Sequence, residues 1–193
     1  TLDPEGRLSY DTLEYFLRIQ VDGDAWRQHD FPVNQMFGVQ SYLPNFMADQ
    51  HLVEGESDAR NYVARLDKFP LKFEQVVEAL KVRESKGVLP PKFTVEKVLE
   101  QMRGFVKPAP TEHMLYTTLA KKLEKIAPEA MDAATREALL AETARAIEQS
   151  VYPAYAGVIA YFEGLQSKAT SNDGVWRLPD GDAFYAFAVR DNT

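Results

Sequence analysis

The chain has 193 residues, 45 % of them hydrophobic, and 22 Lys and Arg against 29 Asp and Glu leave a net charge of −7. That is enough apolar material for one compact core, while the negative balance repels phosphate backbones and anionic lipid, so nucleic acid is not an expected partner. Cysteine is absent, which removes disulfides, thiol nucleophiles and Cys-ligated zinc.

Ser9 reads as an N-cap, and Tyr10, Leu13, Leu17 and Val21 then recur at helical spacing, which predicts a first helix ending near Asp22-Gly23-Asp24. Residues 25 to 50 interleave aromatics with Pro32, Gly38 and Pro44, a pattern of short helices and turns. Ser57-Asp58 opens a helix carrying Tyr62, Val63 and Leu66, and Pro70 breaks it before Phe73, Val76, Val77 and Leu80 resume the period, with Gly87 as its close. After Pro90-Pro91, Thr94 is the expected cap of a strongly amphipathic segment bearing Val95, Val98, Leu99, Met102, Phe105 and Val106.

Leu115, Leu119, Leu123 and Ile126 mark a further helix that stops at Pro128. Asp132 then caps the longest expected element, which runs to about Lys168 and would span roughly 55 Å at ~1.5 Å per residue. Pro153 lies inside it, removes one ladder bond and crowds the Gln149 carbonyl, so a kink is expected there. Asn172 to Gly181 reads as a loop or a two-stranded turn, and Ala183, Phe184, Tyr185, Phe187 and Ala188 restart a helix. Strand-like alternation is otherwise missing. The reading is an all-α fold, an irregular helical assembly with a long Pro-kinked helix and two ordered loops, with residues 1–193 as one helical domain.

For chemistry the pattern is sparse. His29, His51 and His113 never pair at the i, i+4 spacing that sets two imidazoles on one helix face, and no Gly-x-Ser-x-Gly or Gly-x-Gly-x-x-Gly occurs. No catalytic, cofactor-binding or metal-ligating residue is assigned. Trp26, Phe31, Phe37, Tyr42 and Phe46 crowd into one irregular stretch, where they either anchor a loop or line a groove. Trp176, Arg177 and Tyr185 are the candidates for lining a substrate cleft, because a Trp beside turn residues can form a wall and an Arg can hold a carboxylate bidentately.

Several runs carry a resemblance: Leu8-Ser9-Tyr10-Asp11-Thr12-Leu13, His29-Asp30-Phe31-Pro32-Val33-Asn34-Gln35, Val39-Gln40-Ser41-Tyr42-Leu43-Pro44, Pro90-Pro91-Lys92-Phe93, Val151-Tyr152-Pro153-Ala154-Tyr155, and Gly174-Val175-Trp176-Arg177-Leu178-Pro179-Asp180-Gly181 with Phe184-Tyr185-Ala186 after it. In this order they resemble the bacterial family known as domain of unknown function 885. The resemblance implies a longer, mainly helical parent, secreted or lipid-anchored at the cell envelope and similar to gluzincin-type zinc metallopeptidases. The segment expected to bind zinc there, of the form His-Glu-x-x-Pro-Gly-His, lies downstream of the part matched here. Both ends of the chain look cut, so the resemblance implies an internal piece of the N-terminal half that is a scaffold or cleft portion, inactive alone and without zinc of its own.

The partners it implies are the remainder of the parent chain, the parent's peptide substrate, and a second copy meeting a cut C-terminal face formed by Phe184, Tyr185 and Phe187. The other reading is a stand-alone helical module that binds a peptide or partner helix.

Overall fold

The computed structural model describes residues 2–193. Of these, 70 % are helical and none forms a strand, so the chain is all-α. It divides into two compact units: the first takes the chain up to Asp30 together with Val82–Leu89 and Asn172–Thr193, and the second takes Phe31–Lys81 and Pro90–Ser171.

In the first unit, helix α1 spans Pro4–Gly23. It starts ahead of Ser9, because Asp3 is a stronger start signal: its carboxylate accepts from the Gly6 N–H at 2.7 Å, Pro4 sits at the first helical position and Glu5 faces the positive end of the dipole. Ser9 is therefore an interior residue. The last helix of the chain, Gly181–Asn192, lies beside α1. Arg190 pairs with Asp22 at 2.7 Å, and the Tyr15 hydroxyl donates to the Arg190 carbonyl at 3.3 Å. A single 3₁₀ turn, Asp24–Trp26, follows α1. Val82–Leu89 closes the unit with Gly87 at φ 78°, where the left-handed backbone lets the Val88 N–H reach back to the Arg83 carbonyl at 2.9 Å.

The second unit holds the main core. Its helices are α2 Val39–Asn45, α3 Glu56–Leu66, α4 from Phe69, which continues to Ser85, α5 Lys92–Phe105, α6 Met114–Leu123, α7 Ala133–Ala146 and α8 Tyr152–Leu165; the Gly181–Asn192 helix is α9. α3 and α6 pack on α7, and α5 packs on α8. The contact layer contains Tyr62, Leu66, Phe73, Val98, Leu119 and Phe162, all buried. Each such side chain contributes about 1.5–3 kcal/mol by leaving water.

Three expectations shift. The break near Pro70 comes earlier, at Asp67 and Lys68, because Pro70 is tolerated in the first turn of α4, where its missing N–H has no ladder partner. Thr94 is not a cap but a buried residue inside α5, whose cap position is Pro91. The long element from Asp132 is interrupted by a π turn at Ile147–Val151, where the Tyr152 N–H bonds the Ile147 carbonyl, and Pro153 then opens α8. Asp132 itself caps α7, accepting from the Thr135 N–H at 2.6 Å. A second π turn, Phe46–Gln50, follows Pro44 in α2.

Candidate functional site

The three candidate cleft residues all fall in the first unit. Val175–Arg177 is a 3₁₀ turn and Asp180 adopts the left-handed region at φ 50°, so the loop arrives at α9 tightly folded. The Trp176 indole lies back over Gly174 with 69 % of its surface exposed. Arg177 turns inward: its guanidinium donates to the Leu89 carbonyl at 2.6 Å, and burial lowers its pKa, with Asp173 opposing. Tyr185 is exposed on α9. Among the described cavities, none is lined by these three residues. Phe184 and Phe187 are half-buried within the unit, their rings tilted against Trp26 at 5.7 and 6.5 Å.

In the second unit, the run that follows Asp30 is fixed by local hydrogen bonds. The Asn34 side chain accepts from the Met36 and Phe37 N–H groups at 2.9 and 2.8 Å and donates to the Phe31 carbonyl at 2.8 Å. A Cβ on Gly38 would stand 2.1 Å from Gln40 Oε1 and 2.4 Å from the Asn34 nitrogen, so only glycine fits the close approach. Of the aromatics in residues 25 to 50, Trp26, Phe31 and Phe46 are half-buried, while Phe37 is 84 % exposed and Tyr42 is also exposed.

Each histidine is spent on a backbone carbonyl. His29 Nε2 donates to Pro179 O at 2.8 Å between the rings of Trp26 and Phe184. His51 Nε2 donates to Asp58 O at 3.1 Å, and its Nδ1 accepts from Arg65. His113 Nε2 donates to Phe105 O at 3.1 Å, and its Nδ1 accepts from the Leu115 N–H at 3.3 Å as the cap of α6. Burial lowers the pKa of His51 and of His113, and the cations Arg65 and Lys122 push His51 further down. Both ring nitrogens of His51 and His113 are thus engaged, and no three His, Asp or Glu side chains come together among the described residues.

Two features were not read from the sequence. Arg65, Lys68 and Lys72 surround one cavity of the second unit, and only their i, i+3, i+7 spacing in an acidic chain hinted at it. The second is on α1: Tyr10, Leu13, Leu17 and Val21, the row whose period predicted the helix, are not core residues but 52 %, 56 %, 52 % and 74 % exposed. With Glu14, Arg18 and Asp22 they line an open groove of 480 Å³.

A family model described as a bacterial protein of unknown function, DUF885, matches residues 1–193. The chain belongs to this family. No curated protein matches the DUF885 chain. Among solved structures, it is similar to one described as "the putative lipoprotein from Colwellia psychrerythraea", with a TM-score of 0.80 and 27 % sequence identity. The match covers 83 % of the DUF885 chain and 27 % of that protein, so the chain corresponds to about a quarter of its length. No helix among the described residues is long and apolar enough to cross a membrane.

Proposed function

We propose that this DUF885 chain is the helical scaffold, and one wall of the substrate cleft, of a larger metallopeptidase-like hydrolase at the bacterial cell envelope, with the zinc chemistry carried by other segments. The observation that carries this is the apolar row of α1. An amphipathic helix ordinarily turns such a row toward a core, and a patch of this kind left in water marks a surface that another body covers. The far greater length of the Colwellia protein gives room for a covering segment, and its description as a lipoprotein supports the envelope location. The likeness of the sequence to gluzincin-type proteins supports the hydrolase part, and Trp176, Arg177 and Tyr185 are the residues assigned to the cleft wall.

The same row also favours the second reading, a module that lays a partner helix into the groove without catalysis.

The test extends the reading frame past Thr193 and purifies its product. The scaffold reading expects a product that binds about one zinc per chain and cleaves peptides. It also expects Leu13→Asp with Leu17→Asp to destabilise that product while leaving the 193-residue chain unchanged. A frame that stops at once, or a longer product with neither zinc nor peptidase activity, overturns the hydrolase reading in favour of the module.

A further inference from the structure

Where the π turn Phe46–Gln50 meets the end of α3 and the start of α4, Leu43, Phe46, Met47 and Phe69 wall a cavity of 170 Å³ rimmed by Arg65, Lys68 and Lys72. We propose that this cavity is a binding site for a carboxylate bearing one apolar side chain, the chemistry of an aliphatic or aromatic residue at the free C-terminal end of a peptide or in a free acylated amino acid.

The charge argument comes first. The protein as a whole is acidic, with a net charge of −7, yet three cations stand together here, and none of them is ion-paired among the described residues. Asp67, the carboxylate between Arg65 and Lys68 in sequence, accepts instead from the Ser150 hydroxyl at 2.8 Å. Arg65 is held in place, with its guanidinium donating to His51 Nδ1 and lying over the Phe46 ring at 5.9 Å. α4 begins at Phe69, in the wall itself, where the positive end of its dipole meets the negative end of α3 at Leu66, so the charge of the rim rests on the three side chains. Like charges gathered on one rim repel each other, and an anion between them removes that cost while gaining charge-assisted hydrogen bonds.

The floor decides what kind of anion. Its walls are aliphatic, aromatic and thioether groups, which offer nothing to the outer oxygens of inorganic phosphate but accommodate a hydrocarbon group. A dry cavity of about 150 Å³ holds a benzene-sized guest. At 170 Å³, and open to solvent on one side, the site has room for one phenyl or isobutyl group. The ligand is therefore short and apolar with one carboxylate next to it.

The experiment uses the 193-residue chain by itself, so its failure leaves the scaffold reading untouched. Isotope-labelled protein is titrated to about 10 mM, low-affinity territory near 3 kcal/mol of binding, with N-acetyl-phenylalanine and with a tetrapeptide ending in phenylalanine. The C-terminal amide of each serves as the uncharged control. The expected result is saturable shifts of the Phe46, Lys68, Phe69 and Lys72 amides with both acids and binding at least about tenfold weaker for both amides. A comparable loss is expected in the Lys68→Ala, Lys72→Ala double variant, whose replaced side chains are exposed and do not hold the core. Tighter binding of the tetrapeptide assigns the site to peptide ends, and tighter binding of the acylated amino acid assigns it to the free compound. Absence of shifts with both acids, equal binding of acids and amides, or undiminished binding to the double variant overturns the proposal.

Discussion

Replacing Tyr155 by Phe tests how the second unit tolerates its prolines. Pro44 lies inside α2 and has no N–H to give the carbonyl four residues back, that of Gln40. The Tyr155 hydroxyl donates to that carbonyl instead. Both residues are buried, Tyr155 fully and Gln40 to 3 % exposure, and burial pushes the Tyr155 phenol well above its ordinary pKa, so it remains a neutral donor. Tyr155→Phe keeps the ring, which packs on Phe73 at 4.9 Å and Phe105 at 4.4 Å, and removes only the hydrogen bond. A buried acceptor left without a donor costs about 1–3 kcal/mol, so a loss near 2 kcal/mol is expected, or roughly 4–8 °C in Tm for a chain of this size. Urea unfolding measures it. The decisive control is Pro44→Ala, which returns an N–H to the ladder: in that background Tyr155→Phe should cost about 1 kcal/mol less. A cost below about 0.5 kcal/mol, or an equal cost in both backgrounds, refutes the idea that the tyrosine stands in for the missing proline donor.

Gly38→Ala should destabilise by about 3 kcal/mol or prevent folding, because the new methyl meets the Asn34 backbone at 2.4 Å and backbone cannot step aside; denaturant melts showing no change would contradict this. His51 and His113 have folded pKa values held below the unfolded value of about 6.5, so the unfolded chain binds more protons as the solution is acidified. Their contribution to stability is full above about pH 6.5 and is lost as pH falls through the folded values; a urea midpoint that stays level or rises on acidification from pH 7.5 to about 5 would contradict this. Hydrogen exchange should report faster opening of α1 and α9 than of α5 and α8, since the first unit buries few large side chains, chiefly Ile19, Val88 and Leu178; equal protection would count against it.

The sequence reveals the helices of the second unit most clearly, because there the periodic residues and the buried residues coincide: Val95, Val98, Leu99 and Met102 of α5 are all buried, as the 3.6 period requires. On α1 the same period is present and the burial is not, since periodicity reports what a face is suited to meet and not whether anything meets it. Caps are legible where one residue decides, as at Asp132, and not at Asp3, where the signal stands about two turns ahead of Tyr10, the first residue of the apolar row. The site was less legible still. Arg177 and Trp176 were singled out by type, yet which way an Arg points depends on a carbonyl 88 residues away at Leu89. The i, i+3, i+7 spacing of Arg65, Lys68 and Lys72 shows three cations on one face, but the apolar wall they border comes from Leu43, Phe46 and Met47 about twenty residues earlier, which no helical wheel displays.

Proline links these observations. Each π turn has a proline close by, Pro44 before Phe46–Gln50 and Pro153 after Ile147–Val151. A π turn inserts an extra residue and widens the ladder, and the carbonyls it pulls out of line need donors from elsewhere. At the first of them Lys122 supplies these, reaching Met47 O at 3.1 Å and His51 O at 2.6 Å, with its pKa lowered by burial. The widened turn also delivers Phe46 and Met47 as the wall of the cationic cavity, and its end fixes His51, which in turn holds Arg65 on the rim. A regular helix through residues 39–50 would rotate those side chains out of register and leave Lys122 without its two acceptors. The ladder fault near Pro44 is thus what gives the second unit both the seat of its half-buried Lys122 and the wall of its cavity.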